Sequence, residues 1–294
     1  MRVSKATAFL YVLPAFIIIA LFVYVPMVSN VYYSLFQMSA FSVKPEFIDL
    51  QNYAELFKDN VFYIALKNNV LFAVVSVLVQ CVFGLFLAIL LESKLTGKMS
   101  TFYRVVYFIP AIMSVSAVGM LWSFIYEPSI GLLNRVLEMI GRTDWTRAWL
   151  GDEKTAMMSV IMMSQWQNMG YITLLLVVAI QKIPEEYYEA AEIDGANALA
   201  KAWYITVPMV RDMLVVGIVI TVTGAFKVFT EVYVTTLGGP GQASHVLGTY
   251  LYLQGFINNR AGYASAIGVI AFIITFVLSI LQIRISNTET TGAE

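Results

Sequence analysis

Two groups of polar residues sit inside runs that are otherwise Met, Ile, Leu and Val. The first is Ser164, Gln165, Trp166, Gln167, Asn168 and Tyr171. Asn168 and Tyr171 are three apart and so share a helix face, which Ser164 and Gln167 extend. Amides, hydroxyls and an aromatic ring are the groups a neutral sugar asks for: hydrogen bonds to its hydroxyls and a flat surface for its C–H face. The competing reading is hydrogen bonding between helices. The second group is Lys227 and Glu231, four apart, so they share a helix face and can pair. Charges inside an apolar span face a bundle interior or a water-filled path. The pair is therefore either structural or part of a path or its gate.

These residues need a membrane around them. The 294-residue chain is 59% hydrophobic and 13% charged, whereas a soluble domain carries about 25% charged residues. A formal net charge of -1 leaves no basic face for nucleic acid. One cysteine, Cys81, excludes an intrachain disulfide, and one histidine, His245, excludes multi-histidine metal sites. No G-x-x-x-x-G-K-[ST] motif occurs, so the chain does not hydrolyse ATP by that route.

A helix needs roughly 20 apolar residues to cross the hydrocarbon core. Six stretches qualify: Ala8–Phe36, Val70–Leu91, Val105–Tyr126, Met157–Ile180, Met213–Thr236 and Tyr263–Ile283. The expected fold is all-α with six transmembrane helices. The first run is too long for a secretory signal and reads as an uncleaved span, with Pro14 and Pro26 as kinks or helix starts. Basic residues, including Arg2, Lys5, Lys94 and Lys98, favour a cytoplasmic N-terminus by a narrow margin. Six crossings then put both termini inside. The segment Gln37–Asn69 is expected outside, with a short surface helix in FIDLQNYAELF, and Trp145 and Trp149 read as interfacial anchors. The tail after Ile285 reads as polar and frayed.

Between the fourth and fifth runs lies IPEEYYEAAEIDGANALAKAWYITVP, a charged stretch with helical pattern. Pro184 suits a first helical position. Glu185 and Glu186 favour the positive end of the helix dipole. Gly195 is placed to end the helix and Asn197 to start a second one. Small Ala190 and Ala191 beside Glu189 would let another surface approach and offer it a carboxylate. A plain amphipathic loop helix is the alternative.

This stretch resembles the signature loop of binding-protein-dependent ABC importer permeases, E-A-A-x-x-x-G, nine residues, then I-x-L-P. The matching positions are Glu189, Ala190, Ala191, Gly195, Ile205 and Pro208, and Val207 departs from the usual Leu. Thr236-Leu237-Gly238-Gly239-Pro240 is similar to the T-x-G-G-P segment of carbohydrate permeases. The resemblance covers about Leu66–Ile283, the core of the type I importer permease fold. It divides the chain into an N-terminal helix and external loop (1–65), a permease domain (66–283) and a cytoplasmic tail (284–294).

It implies that Glu189, Ala190, Ala191, Asp194, Gly195, Ile205 and Pro208 form a cytoplasmic coupling helix. That helix would dock in a cleft on a cytosolic ATPase, present in two copies, which would use ATP and Mg while this chain binds no cofactor. It further implies a second homologous permease, a heterodimer, an extracytoplasmic sugar-binding protein and a place in the inner membrane amid lipid. The expected substrate is a di- or oligosaccharide, with Ser164, Gln167, Asn168, Tyr171 and Thr221, and Lys227 and Glu231, along its path. A permease for glycerol phosphate and an ion-driven transporter are the alternatives. The second would show repeated halves, and the sequence shows none.

Overall fold

The computed structural model describes residues 5–39, 44–93 and 97–290. Arg2 and Lys94, used above for orientation, lie outside the described residues. The described residues are mostly helical, and the chain divides into two compact units. One takes the chain up to Phe62 together with Tyr250–Ile274; the other takes Tyr63–Thr249 and the chain from Thr275.

In chain order, α1 (Lys5–Ile19) runs through a π turn, Ala20–Tyr24, into α2 (Val25–Tyr33). Pro14 lies inside α1 and Pro26 in the first turn of α2, where a missing N–H costs little. Two-residue strands β1 (Phe36–Gln37) and β2 (Glu46–Phe47) pair antiparallel. Then comes the expected short helix, α3 (Gln51–Leu56). Buried Asn52 ties these pieces together, its Nδ2 donating to the Ser34 and Phe36 carbonyls at 2.8 and 3.0 Å.

Within the same unit, Asp59 accepts hydrogen bonds from the Tyr250 and Tyr263 hydroxyls. Burial pushes the Asp59 carboxyl up, but these bonds and the Val61 and Phe62 backbone outweigh it and hold its pKa below 3.8. A lowered folded-state pKa stabilises the fold at neutral pH, and that contribution is lost as pH falls through it.

The second unit is built around α9. Helix α4 (Asn60–Ser76) continues through a π turn, Val77–Phe83, into α5 (Gly84–Glu92). Helix α6 (Ser100–Phe108) ends in a 3-10 turn at Ile109–Ile112 before α7 (Val115–Ile125). Short α8 (Leu132–Met139) precedes the 25-residue α9 (Ala156–Ile180). Helices α10 (Glu185–Ile193), α11 (Ala198–Lys201) and α12 (Val207–Met209) lead to α13 (Arg211–Phe226) and α14 (Thr230–Thr235). Helices α15 (Leu247–Tyr252) and α16 (Ala261–Thr290) are each divided between the two units.

Helix α9 carries two apolar clusters. Val160, Ile161 and Met163 pack with Phe72, Val118, Ala225 and Val232. Ile172, Leu176, Val177 and Ile180 pack with Cys81, Ala88, Ile183 and Val210. Gly170 lets α9 touch the end of α6: a Cβ there would sit 1.9 Å from the Tyr107 carbonyl oxygen.

Among the described residues, Phe9–Tyr33, Asn60–Glu92 and Ala261–Gln282 are long and apolar enough to cross a membrane. Counting each of two bent pairs as one span raises the number from three to five. The polar middle of α9 lowers its hydropathy and keeps it outside that set. The expected run Val105–Tyr126 is broken by a 99° bend after Ile112, where Met113 and Ser114 are extended. The expected run Met213–Thr236 stops at Phe226. The segment after the first span is shorter than the expected 37–69 because α4 begins at Asn60, and the expected frayed tail is helical to Thr290. Thr291–Glu294 lie outside the described residues.

Replacing Gly170 by Leu should force α9 and α6 apart. Overpacking of this kind costs about 1–3 kcal/mol, to be read as a lower apparent Tm of the purified chain in detergent.

Candidate functional site

The α10–α11 stretch forms a helix–turn–helix whose ends have local causes. Pro184 caps α10 with an extended backbone, one residue before the position expected for it. Gly195 takes φ +80. The Ala196 N–H reaches the Ala191 carbonyl at 2.8 Å and the Gly195 N–H reaches Glu192 at 3.1 Å, which closes the last turn of α10. The Asn197 side chain accepts from the Ala200 N–H at 2.9 Å and starts α11. Lys201 pairs with Glu192 across the turn at 2.6 Å, and the Tyr188 hydroxyl meets Thr206 Oγ1 at 2.9 Å.

Glu189, Ala190, Asp194, Gly195 and Pro208 are exposed; Ala191 and Ile205 are half-buried. The sequence reading missed the apolar surface beside them. Ile193 is 87% exposed, Leu199 78% and Tyr204 77%, with Trp203 close behind. Large apolar side chains in so polar a stretch were the available signal. Ile183 and Val210 fasten this element into the cluster around Leu176 and Ile180 at the end of α9.

The expected path residues divide. Ser164 is buried, and its carbonyl and Oγ both accept from Asn168 Nδ2, at 3.0 and 3.2 Å. Tyr171, on the same face, is 44% exposed. Gln167 is turned inward instead, its Nε2 donating to the Met113 carbonyl at 2.9 Å, where the chain bends. Thr221 is also inward, with Gln80 Oε1 at 3.5 Å and Cys81 Sγ at 3.7 Å.

A buried ladder that the sequence reading did not assemble runs from Gln80 Nε2 to Gln165 Oε1 at 2.8 Å, and from Gln165 Nε2 to Ser76 Oγ at 2.9 Å. Amides within apolar runs were its only trace in the sequence.

Lys227 and Glu231 do not pair. Lys227 ends α13 and Phe229 leaves helical geometry before α14 begins, so the two stand on either side of a break, and the shared face that four-residue spacing predicts does not exist. Buried Asn69 holds that break: its Nδ2 donates to the Ala225 carbonyl at 2.7 Å and its Oδ1 accepts from the Leu247 N–H at 2.8 Å. Asn68 Nδ2 adds bonds to the Ala243 and His245 carbonyls, both 2.8 Å. The turn at Gly238, with φ +90, leaves room only for hydrogen, because a Cβ would meet the His245 ring at 2.1 Å.

Residues 80–287 match the model of the family "Binding-protein-dependent transport system inner membrane component". The chain belongs to this family. It is therefore a non-catalytic permease component of an ABC transporter, in the inner membrane. Over 285 residues, 97% of each chain, the permease is 51% identical to the probable ABC transporter permease protein YurN of Bacillus subtilis. It is 32% identical to the arabinooligosaccharides transport system permease protein AraP of the same organism, covering 97% of this chain and 90% of that one. A subunit of a bacterial ABC transporter that imports the acidic polysaccharide alginate shares its fold, with a TM-score of 0.83 over 96% of this permease and 95% of that chain, at 22% identity.

Asn69→Leu should leave the Ala225 carbonyl and the Leu247 N–H unpaired. Each orphaned group costs about 1–3 kcal/mol, so the variant should show a lower Tm and faster proteolysis between α13 and α15. Gly238→Ala should displace His245 and open the same segment to protease, with the rest of the chain unaffected.

Proposed function

We propose that this permease forms one half of the transmembrane pathway of an ATP-driven importer for a di- or oligosaccharide. The observation that carries the coupling role is the exposed, rigidly capped α10–α11 element, rooted by Ile183 and Val210 in the core that includes the end of α9. A partner that grips Glu189, Ala190 and Asp194 pulls on α9 through packed side chains. Such packing transmits displacement because close-packed interiors compress little.

In this reading the element faces the cytosol, the chain crosses the bilayer six times with α9 as the fourth span, and both termini are cytoplasmic. Glu189 pairs with a cation on a cytosolic ATPase, present in two copies, which holds the ATP and Mg. Ala190 and Ala191 give that ATPase close approach, Gly195 and Pro208 fix the bend, and Ile205 holds it to the bundle. A second, homologous but different permease completes the pathway. Closure of the ATPases drags α10 and switches the spans from inward-open to outward-open, and the sugar shifts the balance only by binding one state better than the other.

The sugar assignment rests on the neutral polar face of α9, Ser164, Asn168 and Tyr171, and on the oligosaccharide named for a relative that matches nearly the whole chain. Tyr171 is the one of the three exposed enough to stack on a sugar ring. An external binding protein delivers the sugar.

Glu189→Arg should abolish uptake in vesicles while the chain still inserts; uptake at the wild-type rate would remove the docking role. Tyr171→Ala should lower sugar-stimulated ATP hydrolysis about tenfold, equivalent to about 1.4 kcal/mol, without changing the unstimulated rate. An unchanged sugar response would take Tyr171 out of the path.

A further inference from the structure

A cavity of about 670 Å³ opens between α7, α8 and the first turns of α9. Its walls are apolar: Trp122 from α7 and Tyr126 just after it, Leu133 and Val136 from α8, Met158 and Met162 from α9. None of the polar residues described along the path or in the α10–α11 element lines it.

The frame is preformed. Trp149 Nε1 donates to Asn134 Oδ1 at 2.7 Å, and Asn134 Nδ2 holds the Pro128 and Arg147 carbonyls, both at 3.0 Å. The Tyr126 hydroxyl donates to the Ser159 carbonyl at 3.1 Å. Ring contacts run from Trp166 to Trp122 to Tyr126 to Trp149. Clefts of about 300–1,000 Å³ with apolar walls and a few polar groups are the usual form of a small-molecule site.

Three observations identify the occupant. First, α9 has 25 residues and so spans about 37 Å, which places the cavity at the opposite membrane end from α10. Tryptophan and tyrosine gather at such a depth, level with lipid headgroups. Second, the cavity wall reaches the outer surface of its own helices, where its lining residues Leu132, Met158 and Met162 are exposed. Third, a lone cation lines it. Lys154 forms no ion pair among the described residues. Its acidic neighbours are turned elsewhere: Asp152 Oδ1 accepts from the Lys154 backbone N–H at 3.0 Å, and the Glu153 side chain lies over Gly241.

We infer that this cavity holds one anionic phospholipid, with an acyl chain between α7, α8 and α9 and the phosphate at Lys154. The apolar walls take the chain, the aromatic rim sets the depth of the ester region, and the lysine selects a headgroup of net negative charge over a zwitterionic one. The site is independent of which solute is carried.

The test uses the full chain in detergent, titrated with phosphatidylglycerol or phosphatidylcholine of matched acyl chains and read by native mass spectrometry. One phosphatidylglycerol per chain should survive activation that strips the others, and phosphatidylcholine should be retained about tenfold less. Lys154→Ala, at an exposed position, should abolish the headgroup preference without altering the Tm. Met158→Trp should fill the cavity and remove the retained lipid of either kind. Equal retention of the two lipids by the wild type, or full retention of phosphatidylglycerol by Met158→Trp, would overturn the inference. So would displacement of the lipid by a partner permease that seats on the same walls.

Discussion

Every backbone N–H and C=O released where a helix breaks inside lipid must find a partner within the protein, because hydrocarbon offers none. This permease meets that demand with amide side chains on unbroken helices. Gln167 on α9 takes the Met113 carbonyl at the bend between α6 and α7. Asn69 on α4 takes both the Ala225 carbonyl and the Leu247 N–H at the end of α13. The two amides occupy equivalent roles, and the helices that carry them also pack in one apolar cluster, Phe72 of α4 with Val160, Ile161 and Met163 of α9. Breaks that would each leave costly orphaned groups become fixed corners, and those corners decide where the short segments between helices lie.

The same helices unite packing with transmission. The two apolar clusters on α9 are separated by the polar stretch that holds Ser164, Gln165 and Gln167. One cluster reaches the break after α13, and the other reaches the base of α10 through Ile183 and Val210. In the proposed coupling, these contacts are what carry movement of α10 along α9. The amide ladder of Gln80, Gln165 and Ser76 lies between the clusters. Fully satisfied buried networks of this kind rigidify their surroundings and fix register.

The legible part of the site was the part that is local. Gly195 ends α10 at positive φ and Asn197 starts α11 because each acts on backbone within four residues of itself. The polar face of Ser164, Asn168 and Tyr171 follows from helical period alone. Lys227 and Glu231 show the limit. Their spacing implied a shared face, but spacing carries meaning only along an unbroken helix, and the chain leaves helical geometry at Phe229 between them. Gln167 read as a path residue from its helix face and Thr221 from the resemblance, and both point into the unit that contains them, where their partners come from far along the chain.

The sequence by itself determined that this is a helical membrane chain, where its charged helix–turn–helix begins and ends, and which family that element resembles. Those properties depend on hydropathy summed over about 20 residues and on caps that reach a few residues. Only the tertiary structure decided which polar side chains serve the fold and which are left facing outward. It also decided that two expected spans are broken, and that α7, α8 and α9 enclose an apolar cavity beside Lys154. Such decisions rest on contacts between residues tens to hundreds of positions apart, and no periodicity records which of several buried amides will meet which freed carbonyl.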